Sequence, residues 1–176
     1  TTGLEIFAQL APRTDIKVLE IDAAARKNDN VKKELMREAD VVILCLPDDA
    51  AIESAALAEC VGARVLDAST AHRVHDNWAY GLAELPGQRA KIAAAQSVSN
   101  PGCYPTGFIP CLQPLVSRGI VPASTPITVN AISGYSGGGH NLIDRYVEHA
   151  EANPPASWSA RPYALSLAHK HVPEMK

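Results

Sequence analysis

The sequence predicts a doubly wound α/β domain on a parallel sheet, and three observations predict it. Helix-like and strand-like patterns alternate through the first 70 residues, an order that lays helices on both faces of a sheet. Val41 to Leu46 is a continuous apolar run, the pattern of a strand buried on both faces. Polar clusters follow the apolar runs at Asp22, at Pro47-Asp48 and at Asp67-Ala68-Ser69-Thr70. In an open α/β sheet, ligands bind beyond those strand ends.

Taken in order, Leu4 to Ala11 place Leu4, Phe7, Leu10 and Ala11 on one helical face, after a glycine-bearing turn at Thr1-Thr2-Gly3. Ile16 to Ile21 alternates like a strand, and Val31 to Glu38 reads as a charged, solvated helix. Pro47 and Asp48 end the apolar strand, Ala50 to Val61 reads as a helix, and Arg64 to Leu66 is a short strand. Residues 71–98 read mainly as loop, with a short helix over Gln88 to Ala95. An apolar helix follows Cys103 through Val116, and Gly119 is its C-cap. Ile127 to Ile132 reads as a strand, Asn141 to Glu151 as a helix, NPPAS (153–157) as a loop, and Tyr163 to Ala168 as a strand. His169 and His171, two apart, would share a face if that strand continued. Glycine, proline and serine concentrate near residue 99, which sets a boundary between parts 1–99 and 100–176.

The composition narrows the classes. Across 176 residues, 47% are hydrophobic and 20% charged, the balance of a globular protein. The net charge of −3 leaves no basic footprint for nucleic acid. No apolar run is long enough to span a membrane, and the N-terminal residues do not read as a signal peptide. Cys45, Cys60, Cys103 and Cys111 show no C-x-x-C pairing and no metal-ligand spacing, so a reducing, cytoplasmic setting is expected and no metal site is. The chain starts on Thr1 and stops at Lys176 without a terminating signal, so a fragment at both ends is expected.

SNPGCYPTG (99–107) carries the chemistry. Gly102 and Pro101 make a tight turn, Pro105 suits a first helical turn, and Cys103 falls at or just ahead of the helix N-terminus. Orphan N–H groups and the helix dipole favour an anion there, which suits a thiolate nucleophile. Glycine-rich SGYSGGGH (133–140) reads either as an anion cradle or as a flexible turn. A cysteine, a histidine and an acid can attack a carbonyl, move a proton and orient the base. With a dinucleotide this chemistry is hydride transfer to or from a thioacyl group. Without one it is acyl transfer or hydrolysis. A dinucleotide domain opens with a strand and a glycine-rich turn, of which only Gly3 is present, so the pattern alone leaves both open. Local sequence makes Arg73 a surface arginine.

SNPGCYPTG, DASTAHRV, WAYGLAEL, SGYSGGGH and HKHVPEM together resemble the N-acetyl-γ-glutamyl-phosphate reductase family of short-chain type, over essentially the whole chain and in the family's motif order. The resemblance implies a Rossmann-type NADP-binding domain, incomplete at its N-terminus, followed by part of an α+β semialdehyde-dehydrogenase-like catalytic and oligomerisation domain. It implies NADPH-dependent reduction of an acyl phosphate, N-acetyl-γ-glutamyl phosphate, to the semialdehyde through a cysteine thioacyl intermediate, in arginine biosynthesis. Cys103 would be the nucleophile, His171 the acid/base, and Glu174 the residue that holds His171. Arg73, Asn100, Ser136, Gly137 and His169 would lie on the substrate side. Gly3, Arg26, Lys27, Leu46, Pro47 and Ser69 would lie on the cofactor side, with Arg26 and Lys27 facing the 2′-phosphate. His140 stands where many relatives carry Lys or Arg. A homo-oligomer, dimer or tetramer, is implied for the full-length protein. The alternatives are an aspartate-semialdehyde-dehydrogenase-like reductase, a Cys/His acyl-transfer enzyme, and a non-catalytic binding remnant.

Overall fold

A computed structural model describes residues 2–152, 158, 160–166 and 168–176. Thr1 of the expected N-terminal turn, the NPPAS loop and Leu167 lie outside the described residues. The chain divides into two compact units, one of Thr2–Ala123 with Lys170–Lys176, the other of Ser124–His169.

The larger unit is a parallel sheet with helices. Its strands are β1 (Val42–Leu44), β2 (Val65–Asp67), β3 (Ala79–Tyr80) and β4 (Ser97–Ser99), ordered β1-β2-β4-β3. Every pairing is parallel, with Val42 opposite Val65, Leu66 opposite Val98, and Tyr80 opposite Ser99. The α/β parallel sheet expected from the alternating pattern is therefore present. β3 and β4 fall in a region read as loop and helix, because strands of two and three residues are too short to show alternation.

The helices are α1 (Thr2–Leu10), α2 (Asp29–Glu38), α3 (Asp48–Cys60), α4 (Gln88–Ala94) and α5 (Cys103–Ser117). Asn28 caps α2, accepting from the N–H groups of Asn30 and Val31. Gly119, at φ +69°, ends α5 in the left-handed region just beyond its C-cap Arg118. Pro110 and Pro114 lie within α5, each removing one ladder N–H, yet the helix continues. The core is Met36, Leu44, Ala58, Ala63 and Val65, with Trp78 packed against it.

Three expectations are corrected. Gly3 lies inside α1 rather than in a turn before it; a Cβ there would meet Cys45 Cβ at 3.4 Å, so α1 packs closely on the chain just after β1. Residues 16–21 form no strand, since alternation alone makes no strand without a ladder partner. The Val41 to Leu46 run is not buried on both faces, for β1 is an edge strand and Ile43 is 39% exposed.

In the smaller unit a 3-10 turn (Tyr135–Gly138) leads into α6 (His140–Ala152). Residues 127–132 form no strand, nor do the described residues of 163–168, where Ala164 takes φ +57° and a turn follows. The physical reason is again the missing partner. Tyr135 stacks on Tyr146, and the Arg161 guanidinium lies 4.3 Å from the Trp158 ring centre.

Candidate active site

The site collects where the parallel strands end. From β2 comes Asp67, wholly buried. Its carboxylate accepts the Ser69 N–H at 2.9 Å, the Ser69 hydroxyl at 2.6 Å, and faces His72 Nδ1 at 2.6 Å. His72 in turn stacks on Trp78 with ring centres 4.0 Å apart. The Asp67 carbonyl takes the Asn100 N–H at 2.7 Å, so the segment after β2 and the turn after β4 are stitched together. Thr70 donates its N–H to Asp48 at 2.9 Å and its hydroxyl to the same carboxylate. That hydroxyl, above all, holds the Asp48 carboxyl below its ordinary range.

Cys103 is the first residue of α5, with Gly102 as N-cap, as the motif predicts. The thiol is exposed, whereas Cys45 is half-buried and its thiol is pushed up by burial and by the Asp67 charge. Gly102 is the tightest point of the site. A Cβ there would lie 2.7 Å from both Cδ2 and Nε2 of His171 and 2.8 Å from Arg73 Nη1. Its φ of −66° suits any residue, so glycine is required for space and not for backbone freedom. The Nε2 edge of a buried imidazole therefore rests against the residue before the cysteine. His171 also meets the Tyr104 ring edge-on, centres 5.5 Å apart.

Glu174, in the 3-10 turn Val172–Met175, is 1% exposed at its side chain. Oε1 accepts from Arg73 Nη1 at 3.0 Å; Oε2 accepts from Tyr80 Oη at 2.8 Å and from the Gly102 N–H at 2.9 Å. Arg73 also donates to the Ala68 carbonyl at 3.2 Å and is nearly buried, which overturns the surface reading drawn from local sequence. Burial first, and the hydrogen bond to Glu174 second, push the Tyr80 phenol well above its ordinary value. His171 precedes this turn, so no strand carries His169 and His171 on one face.

Other candidates are placed as follows. Asn100 donates from Nδ2 to the Pro101 carbonyl at 3.2 Å. Ser69 is buried within the Asp67 network and its hydroxyl oxygen accepts the Ala71 N–H. Leu46 and Pro47 are exposed just after β1, Gly3 lies in α1, and Arg26 and Lys27 are exposed after the short turn Ala23–Ala25. Ser136, Gly137 and His169 belong to the smaller unit. There the Gly137 N–H bonds the Gly134 carbonyl and the Gly139 N–H bonds the Ser136 carbonyl, each at 3.0 Å. A Cβ on Gly138 would lie 2.5 Å from Leu142 Cδ2, and Gly139 takes φ +73°, so two of these glycines have local packing or backbone reasons.

Sequence reasoning missed Tyr80 and His72, and placed Asp67 only as part of a strand end. Their signal was present in WAYGLAEL and DASTAHRV, but a lone tyrosine in a loop-like stretch gives no sign of the carboxylate it meets 94 residues later.

Residues 10–95 match the profile of the semialdehyde dehydrogenase NAD binding domain, and residues 103–176 match that of the semialdehyde dehydrogenase dimerisation domain. The chain belongs to the semialdehyde dehydrogenase family. Its sequence is similar to curated N-acetyl-γ-glutamyl-phosphate reductases, the resemblance its motifs carry. It is 52% identical over 179 residues to the N-acetyl-γ-glutamyl-phosphate reductase of Trichormus variabilis, covering 99% of this chain and 55% of that protein. It is 52% identical over 177 residues to the enzyme of that name from Mesorhizobium japonicum, covering all of this chain and 56% of the relative. The chain thus spans about half the length of the curated relatives it matches. Among solved structures, aspartate semialdehyde dehydrogenase II of Vibrio cholerae, complexed with ASA, aligns with a TM-score of 0.52 at 17% identity, over 66% of this chain and 34% of that one. That likeness supports the fold.

Proposed function

We propose that the full-length protein reduces N-acetyl-γ-glutamyl phosphate to N-acetylglutamate 5-semialdehyde and phosphate with NADPH, in arginine biosynthesis. The observation that carries this reading is the contact of His171 Nε2 with the turn that presents Cys103 at the start of α5. His171 takes the Cys103 proton, and Sγ attacks the acyl carbon of the substrate. The C–O bond to phosphate breaks, phosphate leaves, and the acyl group stays on Sγ as a thioester. The Cys103 N–H, at the first helical position, has no intrahelical acceptor and points to the role of oxyanion donor. NADPH, when bound, supplies the hydride that turns the thioester into the aldehyde. The oxyanion left by hydride addition would collapse as the C–S bond breaks, releasing the aldehyde and the Cys103 thiolate, and His171 would give the proton it took from the thiol to the departing phosphate.

Around this centre, Arg73 and Asn100 sit at the strand ends, suited to a carboxylate or phosphate and to the acyl oxygen. The motif resemblance also assigns Ser136, Gly137 and His169 to substrate binding. The cofactor fits the residues present. Close packing of Gly3 on Cys45 brings the α1 start toward the end of β1, exposed Leu46 and Pro47 offer apolar surface, and Arg26 and Lys27 offer charge for a 2′-phosphate. Ser69 lines the same strand end. We assign residues 1–99 to the nucleotide-binding part and 100–176 to the catalytic and oligomerisation part. The matched dimerisation profile supports a homo-oligomer, dimer or tetramer, and no described helix is long and apolar enough to cross a membrane. A cytoplasmic location completes the proposal.

The test is turnover of the full-length protein with N-acetylglutamate semialdehyde, phosphate and NADP, read as NADPH formation. Turnover is expected, and Cys103→Ser abolishes it. A well-folded protein without turnover sinks the proposal, and a Cys103→Ser variant that keeps most of the rate removes the nucleophile.

A further inference from the structure

We propose that Tyr80 is a positioning residue for the nucleophile's turn: through Glu174 it holds the Gly102 N–H, and so fixes the peptide that carries Cys103. The inference rests on the reading of Cys103 as nucleophile and assigns a residue that reading does not use.

Three segments far apart in sequence meet on one buried carboxylate. Arg73 follows β2, Tyr80 ends β3, and Gly102 follows β4. A carboxylate removed from water needs several donors, and Glu174 has these three. Oε2 is shared between the Tyr80 hydroxyl and the Gly102 N–H, so the tyrosine sets where that oxygen stands relative to the turn. Tyr80 is itself held. Its backbone pairs with Ser99 in the sheet, its carbonyl accepts Gln88 Nε2 at 2.6 Å, and the next N–H, of Gly81, donates to the Ser99 carbonyl at 2.8 Å. A Cβ on Gly81 would lie 2.7 Å from that carbonyl oxygen, so the two segments are at the limit of approach.

Gly102 is fixed on its remaining sides too. Its carbonyl accepts the Thr106 N–H at 3.0 Å and the Thr106 hydroxyl at 2.8 Å. His171 and Arg73 close the space where a side chain would stand. With its N–H committed to Glu174, Gly102 is not an oxyanion donor, and that task falls to the Cys103 N–H. The phenol, pushed up in pKa by burial, keeps its proton and stays a donor through the neutral range.

The experiment is a double-mutant cycle on the full-length protein with Tyr80→Phe, Glu174→Gln and both. One readout is kcat and KM. The other is the rate of Cys103 alkylation by iodoacetamide without substrate or cofactor, resolved by peptide mass spectrometry with Cys111 as internal reference. Losing a hydrogen bond to a charged group corresponds to about tenfold, so Tyr80→Phe should lower kcat about tenfold with KM changed less than about twofold. In the Glu174→Gln background the same change should cost less than about twofold, because the effect passes through the carboxylate. Cys103 alkylation should slow in Tyr80→Phe and Cys111 alkylation should not. Equal losses in both backgrounds, or unchanged Cys103 alkylation, overturn the proposal. If Tyr80→Phe does not fold, Glu174→Gln alone decides: faster amide exchange at Gly102 and slower Cys103 alkylation are expected, and the absence of both overturns it. A wild-type protein without turnover would sink the reductase reading, while the alkylation arm would still test the clamp.

Discussion

Gly102→Ala isolates the tightest contact in the site. The backbone there, φ −66° and ψ 155°, accepts alanine without strain, so the whole effect is steric. The new methyl would stand 2.7 Å from two atoms of the His171 ring and 2.8 Å from Arg73 Nη1. Ordinary carbon contacts begin near 3.4 Å, so about 0.7 Å must be found. His171 is 5% exposed and the Arg73 side chain 9%, and Arg73 is tied to Glu174 and Ala68, so neither retreats freely into water. Overpacking of this kind costs about 1–3 kcal/mol of stability. The larger effect is on rate: a catalytic group moved by about 1 Å loses about 10²-fold. Steady-state kcat/KM of the full-length protein, with thermal unfolding beside it, checks both. A variant within about threefold of wild type in kcat/KM would mean that His171 does not work from this position.

The remaining predictions concern the proposed base and one carboxylate. His171→Asn should lose about 10²-fold or more in rate, the worth of positioned proton transfer, and a loss under about threefold would argue against its role. Asp48 gives a pH signature. Thr70 holds its carboxyl below the ordinary value of 3.8, so its stabilisation is full above that value and is lost as pH falls through the lower folded one. Asp48 is exposed, so Asp48→Asn should cost less than about 1 kcal/mol near neutrality. The difference in melting temperature from wild type should vanish in acid, and a gap constant from neutral to strongly acid pH would refute the assignment.

Local signals written into short stretches were legible in the sequence. The Pro-Gly turn and Pro105 announced a helix that begins at or just after Cys103, and α5 begins at Cys103. The alternation of helix-like stretches with short apolar runs announced a parallel α/β sheet, because helices of this length carry their own periodicity and the apolar runs between them mark strands. The five motifs announced the family. The tertiary structure decided everything that depends on a partner. Residues 16–21 and 127–132 alternate like strands and form none, because a strand is defined by its neighbour's hydrogen bonds. Arg73 reads as a surface cation until Glu174, 101 residues on, buries it. Gly102 reads as a turn glycine, and only the folded chain shows that its missing side chain is the space in which His171 and Arg73 meet the cysteine's turn.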